Sequence, residues 1–316
     1  MPTPAPPRRP VLALFSIFFA LLTAVPTASA APPVVPAPPV EDALFEKLRA
    51  ALVGIDSRLD GVLGVAVRDL TTGRTVEIRG DVVFPQASSI KLALVYELYQ
   101  KAAAGKVDLD ALRPLPAPAA RVAGSGVLPF LSAKAQLTVR DLAVLMMSLS
   151  DNAATNVLID EVGFPAVNAR MDALGLLHTR LRRRMIDITA ARRGEENVST
   201  PREMLGLIEA IRKGEGLTPA LAEDLRAVVG VPKSTAFRDP LPGGVVILDK
   251  PGELEGVRTA TGLVGLKHRP YAVAIMTTAL ERESDGTNAI REISRLVYET
   301  FDRLDRGSPE GRLLGR

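Results

Sequence analysis

The sequence predicts an α+β fold: a five-stranded, mainly antiparallel sheet flanked by terminal helices, with an all-helical subdomain inserted between its strands. Three observations carry this. Strand-like segments fall in two groups, two of them between 61 and 80 and three between 244 and 280. The stretch between the groups, about 92–230, is mostly helical in pattern. A helix with one apolar face stands at each end, in "EDALFEKLRAALVGI" and "TNAIREISRLVYETFDRL".

In chain order, "MPTPAPPRRP" carries Arg8 and Arg9, and the apolar "VLALFSIFFALLTAV" follows. "ASA" closes this segment at Ala28–Ala30, the pattern of a secretory signal cut after Ala30. The apolar run of about fifteen residues is short of the roughly 20 that a spanning helix needs. The chain is therefore expected to be exported, to the periplasm or the extracellular space, and free of the membrane after cleavage. Residues 31–40, "APPVVPAPPV", read as a Pro-rich linker.

Folded structure is expected over 41–305. In the first helix Leu44, Leu48, Ala51 and Leu52 share a face. "GVLGVAVRDL" and "RTVEIRG" are β-rich runs joined at "TTGR", a hairpin signal. Helical segments follow, from "IKLALVYELYQKAAAGKV" to "TPREMLGLIEAIRKG". Strands return at "GVVILDK", "GVRTATGLVGL" and "YAVAIMTTAL". The last helix places Ile290, Ile293, Val297, Phe301 and Leu304 on one face. Residues 306–316 are expected to form a loose tail.

Composition excludes several classes. The 316 residues are 47% hydrophobic, enough for a real core. A net charge of +3 without a basic tail argues against a nucleic-acid partner. With no cysteine there is no disulfide, thiol nucleophile or thiolate metal site. The two histidines, His178 and His268, are read as surface residues, and no G-x-S-x-G elbow accompanies them. No paired metal ligands are present, so no metal and no cofactor is expected, and the chain is read as a monomer.

Three short segments carry chemistry. In "FPQASSIK", Ser88 and Lys91 stand three apart where an apolar helix begins, which puts both on one helical face. Free N–H groups at a helix start favour developing negative charge there. Serine also caps helices routinely, so Ser88 alone fits a cap as well as a nucleophile. No other lysine in the chain has a serine three residues before it. "SLSDNAATN" contributes Ser150, Asp151 and Asn152, and "LDKPGELEGVR" contributes Lys250 ahead of Gly252.

Together, in this order, the three segments resemble the S-x-x-K, S-D-N and lysine–glycine motifs of the penicillin-recognising serine acyl transferases, closest to class A β-lactamases. The resemblance covers about residues 42–305. It implies that Ser88 attacks a carbonyl carbon and becomes acylated, with Lys91 taking its proton. Ser150, helped by Lys250, would pass a proton to the leaving nitrogen. Asn152 would hold a side-chain amide of the substrate. The backbone N–H groups of Ser88 and Glu253, beside Gly252, would form the oxyanion hole. The implied partner is a small β-lactam or a peptidoglycan-like acyl donor.

Two departures stand out. Counting from "TRL" in the loop "TRLRRRMIDITAARRGEENVSTPREM" places Met185 where the family carries its deacylating glutamate. Asp187, two residues on, is the nearest acid, either as that base or as a structural partner of Arg182, Arg183 or Arg184. In the third motif, Pro251 replaces a hydroxyl residue and Glu253 falls on its face of the strand, so an anionic substrate is disfavoured unless Arg258 or Thr261 compensates. Ordinary penicillins are expected to bind weakly. The sequence thus reads as an exported serine hydrolase acting on β-lactam amides. A D,D-peptidase or esterase of the same fold, or a non-hydrolytic penicillin-binding or sensor domain, are the alternatives.

Overall fold

A computed structural model describes residues 1–4, 39–308 and 310–315. The leader and linker expected over 1–40 lie outside the described residues except at 1–4 and 39–40. No described helix is long and apolar enough to cross a membrane.

Helix α1 (Pro39–Arg58) buries Phe45, Leu48, Leu52 and Ile55, one residue every turn. Strands β1 (Val62–Asp69) and β2 (Thr75–Ile78) form the first hairpin. A two-residue strand, β3 (Phe84–Pro85), and a 3-10 turn at Ala87–Ile90 lead into α2 (Lys91–Ala103). The helical insertion follows. It holds the short ladder of β4 (Leu112–Pro114) and β5 (Gln136–Thr138), then α3 (Val139–Ser148), α4 (Asn152–Val162) and α5 (Phe164–Ala173). A loop carries α6 (Ile188–Arg192) and β6 (Val198–Ser199), before α7 (Pro201–Lys213) and α8 (Pro219–Gly230). Strands β7 (Val246–Leu254), β8 (Val257–Gly265) and β9 (Tyr271–Thr278) complete the sheet, and α9 (Glu283–Arg306) ends the domain.

The five main strands run in the order β2-β1-β9-β8-β7, and every pairing is antiparallel. Side chains alternate between the two faces. Leu63, Val65 and Val67 of β1, with Tyr271, Val273 and Ile275 of β9, pack under α1 and α9. Ala66, Ala272, Ala274 and Met276 point to the opposite face and join the core of the helical insertion. Bulk on one face and small residues on the other let β3 and α7 approach the sheet closely. At Gly64 the approach is absolute, because an added Cβ would lie 2.4 Å from Phe84 Cε2 and 3.0 Å from Pro201 Cγ. Phe84 thereby seats the segment that leads to Ser88 against the sheet. Beyond α9 the tail closes a turn instead of trailing loose: Gly307 bridges to Leu313, and Leu314 N donates to Arg306 O at 2.9 Å.

Substituting Gly64→Val should therefore overpack this contact and cost about 1–3 kcal/mol. Denaturant titration reads the cost as a lower midpoint at unchanged slope. An unchanged midpoint would show that Phe84 is not seated against β1.

Candidate active site

The chain reaches Ser88 through a strained corner. Ala87 has φ +47°, a region that residues other than glycine rarely occupy. The 3-10 turn then starts α2, which leaves early N–H groups without helical partners. Ser89 N donates back to Gln86 O at 2.9 Å, whereas Ser88 N has no backbone partner among the described residues. Ser89 is the packing member of the pair: its hydroxyl is buried between Lys250 O at 3.0 Å and Thr259 Oγ1 at 2.8 Å. Ser88 is half-buried, and its hydroxyl makes no hydrogen bond among the described residues.

Lys91, one turn on, is fully buried. Its Nζ lies 2.7 Å from Ser150 O, 3.0 Å from Asn152 Oδ1 and 3.1 Å from Ser150 Oγ. Lys250 approaches from β7, also buried, and donates to the same Ser150 Oγ at 3.0 Å and to Pro251 O at 3.1 Å. One hydroxyl thus bridges two lysines from different elements. Ser150 reaches between them because its backbone sits at φ +56°, in the left-handed region, between α3 and α4.

Asp151 holds that corner. Its carboxylate caps α4 through Ala154 N at 2.9 Å and accepts Val127 N at 2.7 Å and Leu128 N at 2.8 Å from the facing loop. Asn152 N donates to Ser125 O at 3.1 Å, tying the same loop down. The middle acid of the second motif is a clamp. Glycine at 252 is required for the third motif to approach. An added Cβ there would lie 2.4 Å from Thr259 Oγ1, 2.5 Å from Gln86 O and 3.0 Å from Ala87 Cβ.

Burial and proximity set the charges. Lys91 is held well below the ordinary lysine range by desolvation first and by the Lys250 cation second, with Asp151 opposing. Lys250 is lowered to about 7, again by burial first and next by Lys233. Lys233 itself donates to Asp249 O at 3.0 Å and lies 3.3 Å from Asp249 Oδ1. Arg238 Nε donates to the same Oδ1 at 2.8 Å. Burial and the neighbouring cation thus favour the neutral amine of Lys91 more than in an ordinary lysine. Ser150 O and Asn152 Oδ1 accept only, so they take the two N–H groups of a neutral amine. Its lone pair is left for a hydroxyl proton.

The loop over 179–199 is built differently from the expectation. Arg183 pairs with Glu196 at 2.9 Å, and Arg184 pairs with Asp160. Neither guanidinium pairs with the Asp187 carboxylate among the described residues; Arg184 meets Asp187 only through the backbone, its O accepting Asp187 N at 3.5 Å. Asp187 caps α6, accepting Ala190 N at 2.9 Å. Nothing in the structure joins Asp187 to Ser88 or Lys91, so its observed task is to start a helix. Asn156 grips Met185 from both sides, Oδ1 accepting Met185 N at 2.9 Å and Nδ2 donating to Met185 O at 3.2 Å. The Met185 side chain lies in the core of the helical insertion, and a thioether is no base. Beside it Ile186, a β-branched residue, sits at φ +62°.

Arg258 also departs from expectation. It donates to Leu254 O at 2.7 Å, Val257 O at 2.8 Å and Glu283 at 2.6 Å, which commits it to the end of its own hairpin. Thr261 is opposite Lys250 and buried, with no partner for its hydroxyl. Glu253 is exposed at the cleft end of β7. His178 and His268 are both exposed, as expected. Among the described residues no cluster could hold a metal ion. The sequence reading missed Ser89, Asn156 and the Lys233–Asp249–Arg238 group. Of these, Ser89, Asn156 and Asp249 lay inside recognised segments, whereas Lys233 and Arg238 did not.

Replacing Lys250 by methionine removes a cation beside Lys91 while keeping the volume. Lys91 should regain basicity, so the pH at which acylation reaches half its maximum should move upward. Stopped-flow acylation across the neutral and alkaline range measures this. An unmoved midpoint would mean that Lys250 does not tune Lys91.

Comparison with known proteins gives the family and the fold. A family model described as the beta-lactamase enzyme family matches residues 43–301. The beta-lactamase PSE-4 of Pseudomonas aeruginosa is 25% identical over 83% of this chain and 93% of its own length. An ancestral class A beta-lactamase (GNCA) superposes with a TM-score of 0.74 at 29% identity, covering 80% of this chain and all 100% of its own. The L158E mutant of PBP-A, solved as an acyl-enzyme complex with penicillin G, gives 0.73 at 25% identity over 82% of this chain and 96% of its own. The chain belongs to the β-lactamase enzyme family and is a class A β-lactamase-like serine hydrolase.

Proposed function

We propose that this chain is exported and that it opens β-lactam amides by acylating Ser88, with release of the acyl group as its slow step. The single supporting observation is the hydroxyl of Ser150 held between Lys91 and Lys250. Ser88 Oγ attacks the carbonyl carbon while its proton passes to the neutral Lys91. Charge on the carbonyl oxygen is met by the N–H groups of Ser88 and Glu253, on the order of 3–4 kcal/mol per donor in comparable sites. The C–N bond then breaks. The nitrogen takes a proton from Ser150, which Lys91 replenishes across 3.1 Å. Asn152, with its carboxamide oxygen on Lys91 and one N–H of Nδ2 reaching Ala123 O at 3.5 Å, keeps the second N–H for a substrate amide.

Release needs a base that deprotonates water near the ester. Met185 supplies none, and Asp187 is engaged in capping. This favours a second reading from the same fold, penicillin-binding or D,D-peptidase behaviour, in which the adduct persists. The neighbour captured with penicillin G is of that kind by its name. A groove of about 400 Å³ beside the loop, faced by Pro85, Ile186, Ile188 and Leu254, suits an apolar acyl side chain.

Intact-mass and turnover measurements with a chromogenic cephalosporin test this together. The wild type should show one equivalent of product released with acylation, a lasting adduct and slower turnover, and Ser88→Ala should show none of these. Met185→Glu should raise turnover by about 100-fold, the scale of a positioned general base, and shorten the adduct's life. Asp187→Asn should leave turnover unchanged. Loss of turnover in that variant would make Asp187 the base, and an adduct on Ser88→Ala would overturn the nucleophile.

A further inference from the structure

Glu253 lies beside a cavity of about 190 Å³ that adjoins the third motif and is lined in part by Ser234, Pro251, Gly252, Glu253, Arg258 and Arg291. The cavity abuts the Ser88 corner, since Gly252 touches Gln86 and Ala87 on one side and lines the cavity on the other. A group on the leaving side of a bound acyl donor would enter here. The charges around it can be assigned. Arg258 is matched by Glu283 at 2.6 Å and by two carbonyls. Arg291 is matched by Asp239 at 3.2 Å and by Asn288 Oδ1 at 3.0 Å. Glu253 is exposed and has neither a hydrogen bond nor an ion pair among the described residues. Pro251 offers no hydroxyl and no N–H. Lys250 is directed to the other face of β7, where Ser150 Oγ and Pro251 O take its protons. The unmatched charge of the cavity is therefore one carboxylate.

We infer that the subsite beyond Gly252 selects acyl donors whose leaving side carries a cationic group, accepts neutral ones less well, and rejects carboxylates, with Glu253 as the specificity-determining residue. This rests on the Ser88 acylation reading and narrows its substrate class. The usual carboxylate-bearing donors of this family become the poor substrates of this chain. The opposite charge is drawn in by Coulomb attraction at a half-open, partly desolvated surface, and added salt should weaken the preference.

The test uses three phenylacetyl thioesters that differ only in the leaving thiol, which carries an amine, a carboxamide or a carboxylate. kcat/KM is measured for the wild type, Glu253→Gln, Glu253→Lys and Ser88→Ala. The wild type should rank amine above amide above carboxylate, by roughly fivefold per step, the scale of an exposed charge pair. Glu253→Gln should flatten the ranking and Glu253→Lys should reverse it. Glu253 is exposed and caps nothing, so all variants are expected to fold. A Ser88-dependent ranking led by the carboxylate, or one that Glu253 substitutions leave unchanged, overturns this inference alone. Hydrolysis that survives in Ser88→Ala overturns the acylation reading and this inference with it.

Discussion

Two lysine side chains in one dry pocket share the hydroxyl of Ser150, and most of the surrounding structure exists to hold that contact. Burying a cation is costly, and burying two side by side more so, unless protons are given up. The pocket resolves this by lowering both pKa values, which favours the neutral amine over the buried cation. The arrangement demands positional accuracy that ordinary packing does not supply. It comes from the Asp151 clamp, the left-handed backbone of Ala87 and Ser150, and the bare face of Gly252.

In the proposed reaction, acylation and release draw on different parts of the fold. The first rests on α2, the α3–α4 corner and β7, where strain and burial are fixed by the core. The second would lie on the loop over 179–199, held by Arg183–Glu196, by Asn197 accepting Arg182 N and Arg183 N, and by Asn156 on Met185. That loop keeps its shape through ion pairs and amide clamps, with the Met185 side chain buried in the core of the helical insertion.

Much of this was legible in the sequence, for identifiable reasons. The five strands announced themselves because β1 and β9 must alternate bulk and smallness between two unlike faces. The S-x-x-K spacing, Ser150–Asn152 and Lys250 were readable because each motif's geometry is local to one turn or one strand. Counting along the loop singled out Met185, and the structure adds that Asn156 holds its backbone and that its side chain is buried. The role of Asp187 was not readable, because a cap and a base use the same residue type and only direction separates them. Arg258 was misjudged likewise: its register beside Glu253 suggested the cleft, while Glu283, distant in sequence, draws it to the hairpin end. Lys233 lowers the pKa of Lys250 as a neighbouring cation, from a loop with no periodicity to reveal it, while Asp249 opposes it. Helix α6 escaped because it is a single capped turn.

The account stands or falls on the charge of Lys91. Heteronuclear NMR titration of the Lys91 side chain in the wild-type protein measures it directly. The geometry predicts that Lys91 loses its proton well below the ordinary lysine range and is largely neutral when Ser88 is attacked. A Lys91 that titrates near the ordinary value of about 10.4 would contradict the account, since no base would then remain beside the nucleophile.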